Sequence, residues 1–349
     1  MISIQGLLTQ GPVEASAPCR VDSGGTWDIK ALSLPLEAIE PTTVNLALTL
    51  RTSATLHPYR EDRIKIVSQG FPRPEVSPAH RIPFDSPFGI LFAAVSYFGF
   101  CGLEVRIVSQ APVRSALGGS STALVALIKA LSKTAVMRGD KGLSKRQILH
   151  LAYHIEDGIS GGNCGIQDQA AAVFGGAHQW KWRYGIQTLP FERIPLLDRK
   201  GERKLSRRLL VAFSGKSHTS SRVNRQWIHA FLSGKTRDGW IEVNQIVHRF
   251  AQAIKLRDWE LGAALLKKEM SLRKEITPEA LNPLALKLVE QAESAGCGAR
   301  FTGAGAGGSL WALGEIEKIN KLRIIWGTTL APAKDARILA CRIDSVGVK

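Results

Sequence analysis

The segment that most constrains this chain is PVRSALGGSST, residues 112–122. Before it, Leu103, Val105 and Ile107 alternate with the period of a half-buried strand. After it, Leu124, Leu127, Ile128 and Leu131 recur at helical spacing, one apolar face of a helix expected over residues 121–133. A strand, a Gly/Ser loop and a helix in that order leave the first backbone N–H groups of the helix unpaired and aligned with its dipole. That geometry makes a cradle for an anion. The alternative is an ordinary N-cap with glycines for a tight turn, and a second glycine loop further on favours the cradle.

That second loop is TGAGAGG, residues 302–308. Gly303, Gly305 and Gly308 formally fit G-x-G-x-x-G, but too little chain follows for a dinucleotide-binding unit. Gly303, Gly305, Gly307 and Gly308 are better read as a structural loop that lets backbone approach a ligand or another loop closely. The stretch LLVAFSGKS, residues 209–217, ends like a P-loop, but the required leading glycine falls at Leu210. Lys216 stays a candidate for meeting a substrate phosphate, with a surface lysine as the alternative.

Composition narrows the partners. With 46 Lys and Arg against 30 Asp and Glu, the chain of 349 residues carries +16, which favours phosphorylated metabolites, nucleotides or nucleic acid. Hydrophobic residues at 44% and charged residues at 22% exclude a disordered chain, and the length predicts two domains. Cys19, Cys101, Cys164, Cys297 and Cys341 contain no C-x-x-C pair, so neither a disulfide framework nor a zinc knuckle is indicated and a reducing cytoplasm is expected. The first residues lack the pattern of a signal peptide.

The apolar run 88–103 is too short for a bilayer span and reads as a buried helix, with Ser86 as N-cap, Pro87 at the first position and Gly102 past the end. The charged run 197–208 reads as an interdomain link or a basic surface loop. Further strands are expected at 43–50, 209–213 and 338–343, and helices at 144–156, opened by a Ser144/Gln147 capping box, at 241–255 and at 284–295. Mixed elements in both halves indicate an α+β protein.

Three further places could carry chemistry. Glu156 shares a helical face with Leu149 and Tyr153, so its carboxylate needs a metal or an arginine. Asp168, in NCGIQDQAAAVFGG at 163–176, is a helix cap or a base. In APCRVDSGGTWD, residues 17–28, Arg20 stands with Asp22 and Asp28 around a glycine turn, and either holds a catalytic carboxylate ionised, meets a phosphate, or pairs with Asp22.

Together these segments resemble the GHMP kinases, the family of galactokinase and of homoserine, mevalonate and phosphomevalonate kinases. The first motif is carried by Ala17–Pro18 with Arg20–Val21, the nucleotide phosphate loop by PVRSALGGSST and the third motif by TGAGAGG, while CGIQDQ is similar to the galactokinase segment with the catalytic aspartate. GGTWD, TTVNLAL, and IQDQ followed by FGG look most like the branch acting on D-glycero-D-manno-heptose 7-phosphate, with fucokinases close behind.

The resemblance implies two α+β domains, residues 1–200 of a kind also found in ribosomal proteins and 206–349 ferredoxin-like, with ligands in the cleft between them. It implies an ATP- and Mg²⁺-dependent kinase transferring the γ-phosphoryl group to the anomeric hydroxyl of a sugar, with D-glycero-D-manno-heptose 7-phosphate as the expected acceptor. Asp168 would be the base and Arg20 its partner; Ser120 and Glu156 would ligate Mg²⁺; Pro112, Ser115, Leu117, Gly118, Gly119, Ser120 and Ser121 would bind ATP. Asp28, with Gly24, Gly25 and Lys216, would bind the sugar.

There are departures from the family pattern. Ala116 replaces a usual glycine, Gly119 a common serine and Arg300 a usual lysine; Asp28 follows Arg20 by eight positions, one fewer than usual; and His218 stands where heptose and fucose kinases tend to place an arginine. The rival readings are a kinase of a neutral sugar, a kinase of a non-sugar alcohol, a nucleotide binder without turnover, and a basic nucleic-acid-binding protein. The expected partners are ATP and a sugar or sugar phosphate, with no specific nucleic acid, no membrane, and a homodimer allowed.

Overall fold

The computed structural model describes residues 1–186, 190–216, 220–305 and 307–349, and of residues 220–222 the backbone alone. The first half contains β1 (Ile2–Ser3), α1 (Gln5–Leu8), β2 (Val13–Ser23), α2 (Lys30–Ser33), β3 (Thr42–Pro58), β4 (Arg63–Ser68), β5 (Glu75–Pro78), α3 (Gly89–Phe98), β6 (Phe100–Cys101), β7 (Leu103–Ser109), α4 (Gly119–Met137), α5 (Lys145–Ile159), α6 (Gln167–Phe174), β8 (Ala177–Trp182) and β9 (Phe191–Pro195). Its main sheet runs β5-β4-β7-β3-β8-β9, with β2 also paired to β3. The strand expected at 43–50 is much longer, because β3 serves three partners: β8 along Thr42–Leu46, β7 along Thr52–Pro58, and β2 from Val44 to Leu56.

The helical spacing after the phosphate loop is borne out by α4, in which Leu124, Leu127, Ile128 and Leu131 are fully buried. This helix packs across β2 and β3 and against α3, α5 and α6. By length and composition it could cross a bilayer, but 72% of its apolar window is buried within the protein, as in a core helix.

The run 88–103 is not one helix. Gly99 adopts φ +65°, its N–H closes onto Ser96 O, and the chain leaves α3 for β6 and β7, with Gly102 (φ +73°) turning between those strands. The Ser86 hydroxyl does accept the Phe88 N–H at 3.1 Å, but α3 begins at Gly89.

The second half contains α7 (Arg199–Ser206), β10 (Leu209–Phe213), α8 (Ser220–Leu232), α9 (Arg237–Leu256), α10 (Trp259–Ile276), α11 (Pro283–Ser294), β11 (Gly298–Phe301), β12 (Ser309–Leu313), α12 (Ile316–Leu330) and β13 (Arg337–Leu339). The link expected at 197–208 is therefore a helix, α7. Asp198 caps it by accepting the Gly201 N–H at 2.6 Å, and Leu205 is buried. The antiparallel sheet β11-β12-β10-β13 is flanked by α10, α11 and α12.

The two halves interlock along β3 between Thr42 and Arg51. The Asn244 side chain on α9 accepts the Thr42 N–H at 2.9 Å. The chain end leaves the second sheet: the expected strand 338–343 stops at Leu339, the Thr49 N–H donates to Arg342 O and the Asp344 N–H to Ala47 O. The Arg51 guanidinium then ties this tail down through Asp344 and Gly347 O.

Candidate active site

Between β7 and α4 the chain takes three left-handed residues, Arg114 (φ +56°), Ala116 (φ +61°) and Gly118 (φ +79°), the last being the N-cap of α4. Such φ values in residues with a Cβ store strain of about 1–3 kcal/mol each and persist only where surrounding contacts hold them. Helical hydrogen bonding starts with the Thr122 N–H on Gly118 O, so the N–H groups of Gly119, Ser120 and Ser121 precede it. These three residues, with Pro112, Ser115 and Gly118, line one end of a cavity of about 400 Å³. Leu117 does not: its side chain is buried in the core and its carbonyl accepts the Arg20 N–H at 3.1 Å.

Asp168, in the first turn of α6, and Arg20, on β2, line the same cavity. Arg20 Nε and Nη2 both reach Asp168 Oδ1 at 2.7 Å, and its Nη1 donates to Ala116 O at 2.8 Å. One guanidinium thus fixes both the carboxylate and the phosphate loop. The other oxygen, Oδ2, stands over the loop: a Cβ on Gly118 would lie 3.1 Å from it.

Glu156, on α5, lies against the start of α4. The hydroxyls of Ser120 and Ser121 donate to it at 2.9 and 2.6 Å, and Gln169 Nε2 at 2.7 Å. Burial raises its carboxyl above the ordinary range, with the serine donors opposing. The expected alternative of an arginine partner is absent from these bonds, since every donor is neutral.

Among the described residues no cluster of three or more His, Cys, Asp or Glu could hold a metal. One carboxylate and one hydroxyl nevertheless suit Mg²⁺, which takes hard oxygen ligands and commonly rests on one or two protein groups plus substrate phosphates.

Asp28 also lines the cavity and is 2% exposed. The Gln167 backbone N–H donates to Oδ2 at 3.0 Å and its Nε2 to Oδ1 at 3.1 Å, while Asn45 holds the Gln167 amide oxygen. Trp27 seats the turn, edge-on to Phe231 and Trp240 of α8 and α9.

Burial lifts the Asp28 carboxyl to about 7, against the lowering effect of the Gln167 N–H. Unfolded, the group titrates near the ordinary value of ~3.9, so between these values the folded state holds a proton that the unfolded chain has released. Its contribution to stability is therefore full below that lower value and is lost as pH rises through 7. In the ligand-free protein Asp28→Asn is expected to flatten this fall, by on the order of 4 kcal/mol between pH 4 and 8, in urea titrations compared with the parent. Parallel pH profiles would contradict it.

The second glycine loop, residues 302–308, meets the phosphate loop. A Cβ on Gly308 would stand 2.7 Å from both Ala116 Cβ and Ser115 O, and one on Gly303 3.2 Å from Arg20 Nη2. Gly305 (φ +67°) and Gly307 (φ +136°) complete a turn that only glycine makes without strain. The expected close approach is thus to another loop.

Three substrate candidates fall elsewhere. Gly24 and Gly25 do not line the cavity; the Gly24 N–H donates to the buried Glu269 at 2.9 Å, and a Cβ on Gly25 would strike Asp22. They shape the turn that delivers Asp28. Lys216 is exposed and outside the cavity lining, its carbonyl accepting the Gly308 N–H. His218 lies outside the described residues, as does the Arg222 side chain.

Several residues at the site carried no sequence signal. A Cβ on Gly165 would fall 1.8 Å from Asp28 Oδ2, so this position tolerates glycine alone. Gln167 and Gln169 look like ordinary polar helix residues yet fix Asp28 and Glu156. Asp22 was visible only as one option for Arg20, and Arg300 pairs with it at 2.6 Å.

The sequence pattern described as "GHMP kinases N terminal domain" matches residues 89–176. The mevalonate kinase of Pyrococcus horikoshii is 26% identical over 260 residues, covering 67% of this chain and 69% of that protein. The solved structure of Lactococcus lactis galactokinase complexed with galactose superposes with a TM-score of 0.74 at 17% identity, covering 98% of this chain and 95% of the other. A D-glycero-D-manno-heptose 1-phosphate kinase from Bacteriodes thetaiotaomicron gives a TM-score of 0.69 at 18% identity, with 96% and 97% covered. These likenesses match the two-domain α+β architecture described above.

Proposed function

Starting from an ATP-dependent kinase of the GHMP fold acting on a small-molecule alcohol, we propose that the acceptor is a neutral sugar and that Asp168 Oδ2 takes the proton of its hydroxyl. The observation that carries this reading is the pairing of Arg20 with Oδ1 alone, which leaves Oδ2 over the phosphate loop. A base must stand within hydrogen-bond reach of the hydroxyl it deprotonates.

The N–H groups of Gly119, Ser120 and Ser121 hold phosphate oxygens at the helix N-terminus. Ser120 Oγ and Glu156 would hold Mg²⁺, which would neutralise charge on the phosphates. The apolar side chains of Phe88, Leu91 and Ile107, which also line the cavity, accommodate the nucleoside and exclude water.

The acceptor end explains the preference for a neutral substrate. Asp28 presents a carboxyl group there, suited to hydrogen-bonding sugar hydroxyls. Among the described lining residues the cations are Arg20, which is engaged by Asp168, and Arg114, which sits on the phosphate loop. Among the described lining residues, a carboxylate or phosphate on the acceptor would meet Asp28 without a free cationic partner. Lys216, which made a sugar phosphate attractive, stands outside the lining.

An ATP-consumption screen with galactose, fucose, heptose 7-phosphate and mevalonate tests this. A neutral sugar is expected to exceed both anionic acceptors by at least about tenfold in kcat/KM, the worth of one charged hydrogen bond. Mevalonate or heptose 7-phosphate as the best substrate would overturn the acceptor assignment and leave the kinase standing.

A further inference from the structure

We propose that Arg300 is a positioning residue for phosphoryl transfer: it neutralises the buried Asp22, a competitor for Arg20, and thereby leaves the Arg20 guanidinium to Asp168. The proposal rests on the reading of Asp168 as the base.

Arg20 stands between two carboxylates. Asp168 Oδ1 is 2.7 Å away, and Asp22 Oδ1 is 3.6 Å from Nη1. Two residues apart on β2, Arg20 and Asp22 share one face of the strand. The Asp22 side chain is wholly buried, and a buried carboxylate draws whatever cation is nearest because its desolvation is otherwise uncompensated. Two cations are in reach, Arg20 and Arg300.

The second half of the chain decides between them. Arg300 Nη1, from β11, donates to Asp22 Oδ2 at 2.6 Å, and the Gly303 N–H donates to Oδ1 at 2.8 Å. With Arg300 beside it first and Arg20 second, the Asp22 carboxyl is held below its ordinary range despite its burial. Arg300 Nε also lies 3.5 Å from Glu269, which accepts the Ser23 hydroxyl and the Gly24 N–H at 2.6 and 2.9 Å. Thus α10 and β11 grip the end of β2 at Asp22 and again at the turn that follows.

The neighbouring charges close the set. Asp168, Asp22 and Asp28 act on Arg20, and Arg273, stacked on Trp227, Trp240 and Phe301, feels the charges of Arg300, Glu269, Asp22 and Glu279 without forming an ion pair within 4 Å of Asp22. Without Arg300, Arg20 is the one cation left within 4 Å of Asp22 among the described residues. The guanidinium would then move off Asp168, and the Ala116 carbonyl it holds at 2.8 Å would lose its anchor.

The test uses the full chain with Mg·ATP and the acceptor of highest turnover among galactose, fucose, heptose 7-phosphate and mevalonate. Arg300→Met is expected to lower kcat about ten- to a hundredfold with the acceptor KM changed less than about threefold. Arg300→Lys, which keeps the charge, should retain most of the turnover.

The decisive variant is the double change Arg300→Met with Asp22→Asn. Removing the competing carboxylate should return at least about fivefold of the lost kcat, a coupling that independent sites do not show. A double variant no more active than Arg300→Met, or an Arg300→Lys as impaired, overturns the proposal, since packing loss cannot be rescued by a second buried change.

Thermal unfolding with and without Mg·ATP establishes that each variant is folded. If Arg300→Met does not fold, Asp22→Asn alone decides: kcat within about threefold of the parent supports the proposal, and a loss of tenfold or more overturns it. Asp168→Asn run alongside separates the two readings. Retained activity there overturns the base and this proposal with it, whereas lost activity without rescue in the double variant overturns the positioning alone.

Discussion

Asp168→Asn removes turnover by about 10²–10⁴-fold, the usual loss when a general base is replaced by a group that cannot accept a proton. The amide keeps the oxygen that Arg20 grips and the place of the residue in the first turn of α6, so the fold and the binding of Mg·ATP are expected to survive. Loss of kcat with an unchanged thermal shift by Mg·ATP is therefore the result to look for. A purified, folded variant retaining more than about half of the activity would mean that the proton leaves by another route. The contrast with Asp28→Asn is informative, because that change alters the acceptor side of the cavity and should act first on the acceptor KM.

The second large effect is expected at Glu156. Glu156→Gln replaces a carboxylate oxygen by a weaker ligand for a hard cation, and Ser120→Ala deletes the hydroxyl beside it. Each should raise the Mg²⁺ concentration giving half-maximal rate, and Glu156→Gln should do so by tenfold or more, since it removes charge as well as a donor. Mg²⁺-dependent stabilisation by ATP in thermal unfolding supplies a readout independent of turnover. Ser121→Ala is the control, because its hydroxyl also donates to Glu156, at 2.6 Å, yet it was not assigned to the metal. Unchanged Mg²⁺ dependence in both Glu156→Gln and Ser120→Ala would show that Glu156 only braces the start of α4.

How much of this was legible in the sequence differs from element to element. The strand, loop and helix over residues 103–133 could be read directly, because an apolar face repeats with the period of the element that buries it, and α4 buries the four leucine and isoleucine positions so identified. The capping box at Ser144 and Gln147 was equally plain and forms as expected, being a contact across three residues. The run 88–103 misled for a related reason: α3 and β7 are both apolar, and a left-handed Gly99 divides them without changing the composition. At 197–208 the charge suggested a link, but Leu205 supplies the buried anchor and Asp198 the cap of a short helix.

For the site, the local chain determined which residue types stood ready: an anion-cradling loop, a glycine turn ending in Asp28, a carboxylate on α5 and an aspartate at the start of α6. Tertiary structure alone decided which of them meet. Arg20 reaches Asp168 across 148 residues and Arg300 reaches Asp22 across 278. Gly165 is required only because Asp28 arrives beneath it, and Lys216 stands outside the cavity lining. Periodicity records whether a position is buried, a property shared with near neighbours in the chain. Charge pairing and close backbone approach depend on what the rest of the fold brings alongside, and a single sequence carries no trace of that partner.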